Sequence, residues 1–179
     1  DKAKGKLFLI RDRAGVKPLF YHQYDKGILF ASELKAFHKH PSFKKVINRS
    51  ALKTYFLNGN IPAPETIFEQ TFKVAPGYYI EIDIGKRSFN AVKYWDVFDG
   101  YNLPQIKISY EEALTETENL LSSAFNYRMV ADVPVGVFLS GGYDSSAVAA
   151  ILSKNVTNLN TFTIGFDDKA FDESPHAKI

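Results

Sequence analysis

The feature that most constrains the fold is an apolar segment that leads into a turn with two adjacent glycines and then into a second apolar segment. Residues 135–146 read Val-Gly-Val-Phe-Leu-Ser-Gly-Gly-Tyr-Asp-Ser-Ser. Residues 135–139 are typical of a short buried strand, and residues 147–152 continue as a helix. This order predicts an anion site, because the first N–H groups of a helix lack intrahelical partners and carry the positive end of its dipole.

The turn also contains the side chains that such a site needs. Gly141 and Gly142 lack a Cβ, so the backbone can approach a ligand closely. Three serines add hydroxyl groups, and Asp144 is a candidate oxygen ligand for a Mg²⁺ ion carried by a nucleotide. The alternative is that Ser140 and Ser145 only cap the helix. We favour a polyphosphate site, because two glycines, three hydroxyls and a carboxylate exceed the needs of a cap.

The sequence of the turn narrows the kind of phosphate site. It has no terminal Gly-Lys-Ser/Thr and no lysine, so it is not a Walker A loop. Ser-Gly-Gly-x-Asp-Ser after a hydrophobic strand instead resembles the pyrophosphate loop of the N-type ATP pyrophosphatases, which cleave ATP between the α and β phosphates. A second strand over 159–165 completes a predicted parallel βαβ unit. Leu139 and Ile164 lie at the carboxyl ends of these strands, where such sheets bind ligands.

Composition excludes several other classes of function. The 179 residues are 45% hydrophobic and 15% aromatic, which predicts a globular chain of one domain or of two small or incomplete ones. The net charge of +2 gives no support to a nucleic-acid or membrane partner. Because there is no cysteine, disulfides and thiolate sites are excluded within these residues. The sequence shows no signal peptide and no long apolar segment, so we expect a soluble, cytoplasmic protein.

Local patterns predict a β-rich first half with two short helices. We expect the first helix over 33–38, capped by Ser32, and the second over 50–57, ended by Asn58-Gly59. The predicted strands are 6–10, 18–24, 28–31, 78–84 and 88–95.

The second half begins after a linker with a helix whose start is strongly marked. Ser109 and Glu112 have the spacing of a capping box. An apolar stripe follows on one face of this helix, so we expect the helix to lie on a sheet.

Several further blocks extend the resemblance over nearly the whole chain. They read RDRAGVKPLFY at 11–21, FASELKA at 30–36, APG at 75–77, YW at 94–95 and DVPVG at 132–136. Together with the glycine-rich turn, and in the same order, they resemble successive blocks of the glutamine-hydrolysing asparagine synthetases.

This resemblance implies an α+β part followed by an α/β part. Residues 1–92 correspond to the C-terminal part of a glutamine amidotransferase domain, a partial N-terminal-nucleophile glutaminase sandwich. Residues 93–107 are the linker, and residues 108–179 correspond to the beginning of a parallel-sheet ATP pyrophosphatase domain. The family's nucleophile is the first-residue cysteine of the mature protein, and this sequence has none. We therefore expect the segment to be a fragment that is catalytically incomplete by itself.

The resemblance also implies a reaction. In the family, ATP activates the aspartate side chain as an acyl-adenylate, pyrophosphate leaves, and ammonia from glutamine attacks to give asparagine and AMP. ATP and Mg²⁺ are implied, with glutamine and aspartate as the other small molecules, and a homodimer is left open. Leu139 and Ile164 are carried over as adenosine contacts, and Asp144 as the metal ligand and catalytic residue. The residues assigned to the pyrophosphate and its metal are Ser140, Gly141, Gly142, Asp144, Ser145 and Ser146.

Two alternatives to asparagine synthesis stay open at this point. One is a related amidotransferase, or a β-lactam-synthetase-like ligase, with another carboxylate acceptor. The other is a non-catalytic nucleotide-binding module. The residues Arg11, Asp12, Arg13 and Lys17 also have two interpretations, because they either line a route between two active sites or form an ion-pair cluster that orients a strand.

Overall fold

A computed structural model describes residues 1–178 of the chain. They form two compact units, residues 1–104 and residues 105–178. The fold is mixed α/β with small sheets. Within the described residues, no helix is both long enough and apolar enough to cross a membrane.

Two three-stranded antiparallel sheets form the first unit. One has the order β1-β5-β6, with β1 at Lys6–Ile10, β5 at Tyr78–Asp83 and β6 at Ser88–Lys93. The other has the order β3-β2-β4, with β2 at Phe20–Tyr24, β3 at Gly27–Ala31 and β4 at Thr71–Lys73. Five of these six strands were predicted from the sequence to within two residues at each end, and the three-residue β4 was missed.

The core of the first unit follows from strand alternation. Ile80 and Ile82 lie two residues apart on β5 and therefore point to the same face. They pack with Leu9, which pairs with Ile80 across the sheet, and with the fully buried Val74. The core thus joins β1 and β5 to the segment that follows β4.

Of the two helices predicted for the first unit, one is confirmed and the other has a different type and no side-chain cap. Helix α1, Arg49–Asn58, begins where the Asn48 side chain accepts hydrogen bonds from two backbone N–H groups, and it ends at Gly59 with φ 71°, as predicted. The earlier segment, Leu34–Lys39, is a 3₁₀ helix, and Ser32 does not cap it. The physical reason is that Phe37 is buried beside Phe43 and His22, so packing of one ring holds this short segment.

A short helix, α2, Val97–Tyr101, lies near the end of the first unit. The first element of the second unit is a long helix. Helix α3, Tyr110–Arg128, has the predicted capping box between Ser109 and Glu112. The prediction that its apolar stripe lies on a sheet was wrong, because no residue of α3 is buried. It packs against α4, Tyr143–Ser153, and Glu118 forms an ion pair with Lys154, the C-cap residue of α4. A helix of this length, about 28 Å, cannot be covered by strands of about 10 Å.

The predicted βαβ unit is present in the second unit. Strand β7, Gly136–Phe138, leads through the glycine-rich turn to α4, and β8, Asn160–Phe162, returns parallel to β7. Both strands are shorter than predicted. A Cβ at Gly136 would lie 2.3 Å from the Phe162 ring, so the glycine allows the two strands to pair closely. Helix α5, Ser174–Ala177, is the final element, and it starts within the sequence Asp-Glu-Ser-Pro at residues 172–175.

Candidate functional site

The start of α4 has no side-chain cap. Gly142 is the N-cap residue, with φ −73° and ψ 161°, and no side chain accepts a hydrogen bond from the first turn. The first bond of the helix is donated by the Ser146 N–H to the Gly142 carbonyl at 3.0 Å. The N–H groups of residues 143–145 therefore have no intrahelical acceptor. The alternative that Ser140 and Ser145 only cap this helix was wrong.

The serine hydroxyls of the turn differ in what they contact. Ser145 Oγ donates to the Gly142 carbonyl at 3.2 Å and lies 3.0 Å from Ser140 Oγ. Ser140 Oγ also accepts from the Gly142 N–H at 3.4 Å, and the Ser140 N–H donates to Ser145 Oγ at 3.3 Å. Ser146 is exposed, and its hydroxyl has no hydrogen-bond partner among residues 1–178. Two hydroxyls thus hold the turn together, and one is available to a ligand.

The two glycines of the turn have different roles. Gly141 has φ +79°, and a Cβ there would lie 2.5 Å from His176 Cβ and 2.7 Å from the His176 carbonyl oxygen. Gly142 has an ordinary φ, and a Cβ there would meet only Ser140 Oγ, at 3.5 Å. Gly141 is therefore required by its backbone conformation and by packing against α5, whereas Gly142 leaves open space at the start of α4.

Asp144 lies in the first turn of α4 and is exposed. Its carboxylate makes no ion pair and no hydrogen bond within residues 1–178, and no group of three potential metal ligands occurs in that range. A Mg²⁺ ion usually binds to one or two carboxylates together with substrate phosphates rather than to a cage of protein ligands. The Asp144 carboxylate, which lies beside the N–H groups of residues 143–145 that have no intrahelical acceptor, suits that mode of binding.

A cavity of about 260 Å³ lies at the carboxyl ends of β7 and β8. Leu139 and Ile164, which the sequence places at these strand ends, both line it, and Ser140 connects it to the turn. The strand ends are joined by two hydrogen bonds, from the Leu139 N–H to the Phe162 carbonyl at 2.8 Å and from Thr163 Oγ1 to the Leu139 carbonyl at 2.7 Å. Three phenylalanines also line the cavity, namely Phe138, Phe162 and Phe166.

Two residues that shape this region were not singled out from the sequence as site residues. His176 covers one side of Gly141. Asp172 accepts hydrogen bonds at Oδ1 from the Ser174 N–H at 3.1 Å and the Phe166 N–H at 3.4 Å, and bonding to Ser174 lowers the pKa of its carboxyl. Asp172 thereby joins one cavity wall to the start of α5. The Asp-x-Ser spacing is a typical signal for such a turn, whereas no local signal reveals the contact of His176.

In the first unit, Arg11 and Asp12 fold a loop. The Arg11 guanidinium donates to the carbonyls of Lys17 at 3.1 Å, Val74 at 2.8 Å and Gly15 at 2.9 Å. The Asp12 carboxylate accepts from the N–H groups of Val16 and Lys17, and these bonds lower its pKa. The interpretation as an ion-pair cluster was wrong for this pair, because both side chains bind backbone groups. Arg13 and Lys17 have exposed side chains.

Three of the blocks quoted from the sequence meet at this loop. The Gly77 N–H donates to the Asp12 carbonyl at 3.1 Å, and the Gly77 carbonyl accepts from the N–H groups of Tyr94 at 2.9 Å and Trp95 at 3.1 Å. The Tyr94 hydroxyl donates to the Arg11 carbonyl at 2.6 Å. A Cβ at Gly77, which has φ +71°, would lie 2.3 Å from the Trp95 carbonyl oxygen. These blocks thus share one structural unit although up to 83 residues separate them.

Two protein families match two successive parts of the chain. The glutamine amidotransferase domain family matches residues 1–95, and the asparagine synthase family matches residues 116–179. A putative glutamine-hydrolysing asparagine synthetase 2 of Methanocaldococcus jannaschii is 40% identical over all of this chain, which covers 35% of that protein. The glutamine-hydrolysing asparagine synthetases 3 and 2 of Bacillus subtilis are 34% and 33% identical over 97% and 92% of the chain. The chain covers 29% and 23% of their lengths, so it spans about a third or less of these relatives.

Proposed function

Because the chain belongs to the family of glutamine-hydrolysing asparagine synthetases, we propose that the protein containing it makes asparagine from aspartate, using ATP and glutamine. It is then a carbon–nitrogen ligase with glutamine as amide donor. The observation that carries this proposal is the uncapped start of α4 beside a cavity that both Leu139 and Ile164 line. A triphosphate and a nucleoside can occupy these two neighbouring places.

The proposed chemistry has three balanced steps. Glutamine and water give glutamate and ammonia in the amidotransferase part. The aspartate side-chain carboxylate attacks the α phosphorus of ATP, which forms β-aspartyl-AMP and releases pyrophosphate. Ammonia then attacks the acyl carbon, which gives asparagine and AMP and releases a proton.

The second step is the one to which the described residues would contribute. Negative charge accumulates on the departing pyrophosphate, so donors aimed at it stabilise the transition state more than bound ATP. We assign this role to the N–H groups of residues 143–145 and to the Ser146 hydroxyl, which are open. Ser140 and Ser145 shape the turn, and rotation of their hydroxyls would let them add to the same contacts. Asp144 would hold the Mg²⁺ that neutralises phosphate charge.

The same proposal extends to the organisation of the protein. We assign residues 1–92 to the later part of an N-terminal-nucleophile glutaminase sandwich, residues 93–107 to a linker and residues 108–179 to the start of a parallel-sheet ATP pyrophosphatase domain. The pairing of β7 with β8 supports the parallel sheet. ATP, aspartate and glutamine are cytoplasmic metabolites, so we place the reaction in the cytoplasm, and a homodimer is compatible with it.

The direct test is ATP–pyrophosphate exchange by the complete protein with a panel of carboxylic acids. The proposal predicts exchange that depends on aspartate and on Mg²⁺, without any need for glutamine. Exchange with a different acid in place of aspartate would replace asparagine synthesis by a related ligase reaction. Failure to exchange with any acid, in a protein that binds no ATP, would refute nucleotide activation at this site.

A further inference from the structure

The cavity at the ends of β7 and β8 includes one acidic residue among those that line it, Glu173. The other two polar residues of the lining are already engaged. Thr163 Oγ1 donates to the Leu139 carbonyl at 2.7 Å, and Ser140 Oγ lies 3.0 Å from Ser145 Oγ. Glu173 is the N-cap residue of α5, yet its side chain makes no capping hydrogen bond, and it forms no ion pair within residues 1–178. Its carboxylate is therefore an unused hydrogen-bond acceptor.

The position of Glu173 along the cavity follows from the packing of α5. His176 lies against Gly141 in the glycine-rich turn, as the 2.5 Å approach of a Cβ built at Gly141 shows. The His176 N–H donates to the Glu173 carbonyl at 3.0 Å, so the two residues belong to one helical turn. Asp172, directly before Glu173, is bonded to the Phe166 and Ser174 N–H groups. Glu173 thus lines the cavity within one helical turn of the residue that packs on Gly141.

In a nucleoside triphosphate the ribose lies between the base and the phosphates. With the phosphates at the start of α4 and the base among the phenylalanines, a group beside the turn faces the sugar. We propose that the Glu173 carboxylate accepts a hydrogen bond from a ribose hydroxyl of ATP, either the 2′ or the 3′ hydroxyl. An acidic residue makes the same kind of hydrogen bond to a ribose hydroxyl in dinucleotide-binding folds. This inference rests on the proposed function, because it takes ATP as the occupant of the cavity.

The test is calorimetric titration of the complete protein with Mg²⁺ complexes of ATP, 2′-deoxy-ATP, 3′-deoxy-ATP and purine riboside triphosphate, which lacks the base amine. We expect Glu173→Ala to weaken ATP binding about tenfold, as for a hydrogen bond to a charged acceptor. The wild type should bind one of the two deoxy analogues about tenfold more weakly than ATP. Glu173→Ala should bind that analogue with the same affinity as the wild type does, because the hydroxyl that Glu173 would bind is absent. Asp167→Ala, which removes another exposed carboxylate of the same segment, should bind all four as the wild type does.

Three results would overturn the inference and leave ATP activation intact. The first is an unchanged ATP affinity in Glu173→Ala. The second is that Glu173→Ala weakens the binding of ATP and of both deoxy analogues by the same factor. The third is that Glu173→Ala causes no further loss of affinity only for purine riboside triphosphate, which would mean that Glu173 binds the base amine. The wild type serves as the check on the proposed function, since a titration in which it binds no ATP would refute both. Circular dichroism confirms folding of the variant, which is expected because the Glu173 side chain makes no capping bond.

Discussion

Replacing Gly141 by alanine should destabilise the protein, whereas replacing the adjacent Gly142 by alanine should leave its stability unchanged. Gly141 has φ +79°, a region that costs an L-residue about 1–2 kcal/mol. Its new Cβ would also lie 2.5 Å from His176 Cβ and 2.6 Å from the His176 carbonyl carbon, so backbone must move. Such overpacking costs about 1–3 kcal/mol. The stiffer unfolded chain offsets about 0.4–1 kcal/mol of this cost, so Gly141→Ala should destabilise the second unit by about 1 to 5 kcal/mol.

Gly142→Ala is the matched control, one residue away. Its φ of −73° suits alanine, and the new methyl group would meet only Ser140 Oγ at 3.5 Å. Alanine is a poorer N-cap residue than glycine by about 0.5–1 kcal/mol. This loss is offset by the gain of about 0.4–1 kcal/mol from the stiffer unfolded chain. The net change in the free energy of unfolding should therefore be close to zero.

The assay is urea unfolding followed by far-ultraviolet circular dichroism. With a slope of about 1–3 kcal/mol per molar urea, the Gly141→Ala transition should move down by about 0.3 M or more and that of Gly142→Ala should not move. Hydrogen exchange of the peptides over 136–153 should increase only in Gly141→Ala. Equal stability of the two variants would refute the assignment of Gly141 to packing and of Gly142 to open space. Gly142→Ala should instead weaken ATP binding, because its methyl group enters the proposed phosphate site.

Three further predictions concern other residues. Asp144→Ala in the complete protein should lower aspartate-dependent pyrophosphate exchange at least about 100-fold while glutamine hydrolysis persists; unchanged exchange would exclude the proposed role. Burial lowers the pKa of His22, so the unfolded state binds more protons and stability should fall as pH drops below about 6.5. Urea midpoints measured against pH should show this slope, which His22→Gln should remove and His38→Gln should keep. Arg11→Lys should lower the stability of the first unit by about 2 kcal/mol or more, because one ammonium cannot reach three carbonyls, whereas Arg13→Lys should have no effect on thermal unfolding.

Elements with strong local signals could be predicted from the sequence. The end of α1 at Gly59 and the capping box of α3 are examples, because each depends on atoms within one helical turn. The β7–α4–β8 unit was also predicted, since an apolar strand, a glycine-rich turn and an apolar helix are all local patterns. The adjacency of Leu139 and Ile164 followed from it, because parallel strands present their carboxyl ends at one edge of the sheet.

Elements that depend on packing could not be predicted in the same way. The segment Leu34–Lys39 is a 3₁₀ helix held by the buried Phe37 ring, and its sequence alone predicts an ordinary capped helix. The apolar stripe of α3 indicates a buried face, yet a two-stranded sheet of three-residue strands is too small to cover it. Periodicity shows which face of a helix is apolar, but it carries no information about the area available to bury that face.

The amino-acid sequence by itself determined that a glycine-rich turn joins β7 to α4 and that Asp144 lies in the first turn of α4. Tertiary structure decided which of its groups are open, since His176 occupies the side of Gly141 and the Ser140–Ser145 contact leaves Ser146 unbonded within residues 1–178. It also decided that Arg11 binds a carbonyl 63 residues away rather than a neighbouring carboxylate. The reason is one of range: a turn is specified by bonds among a few consecutive residues, whereas the partners of its side chains depend on how distant segments pack.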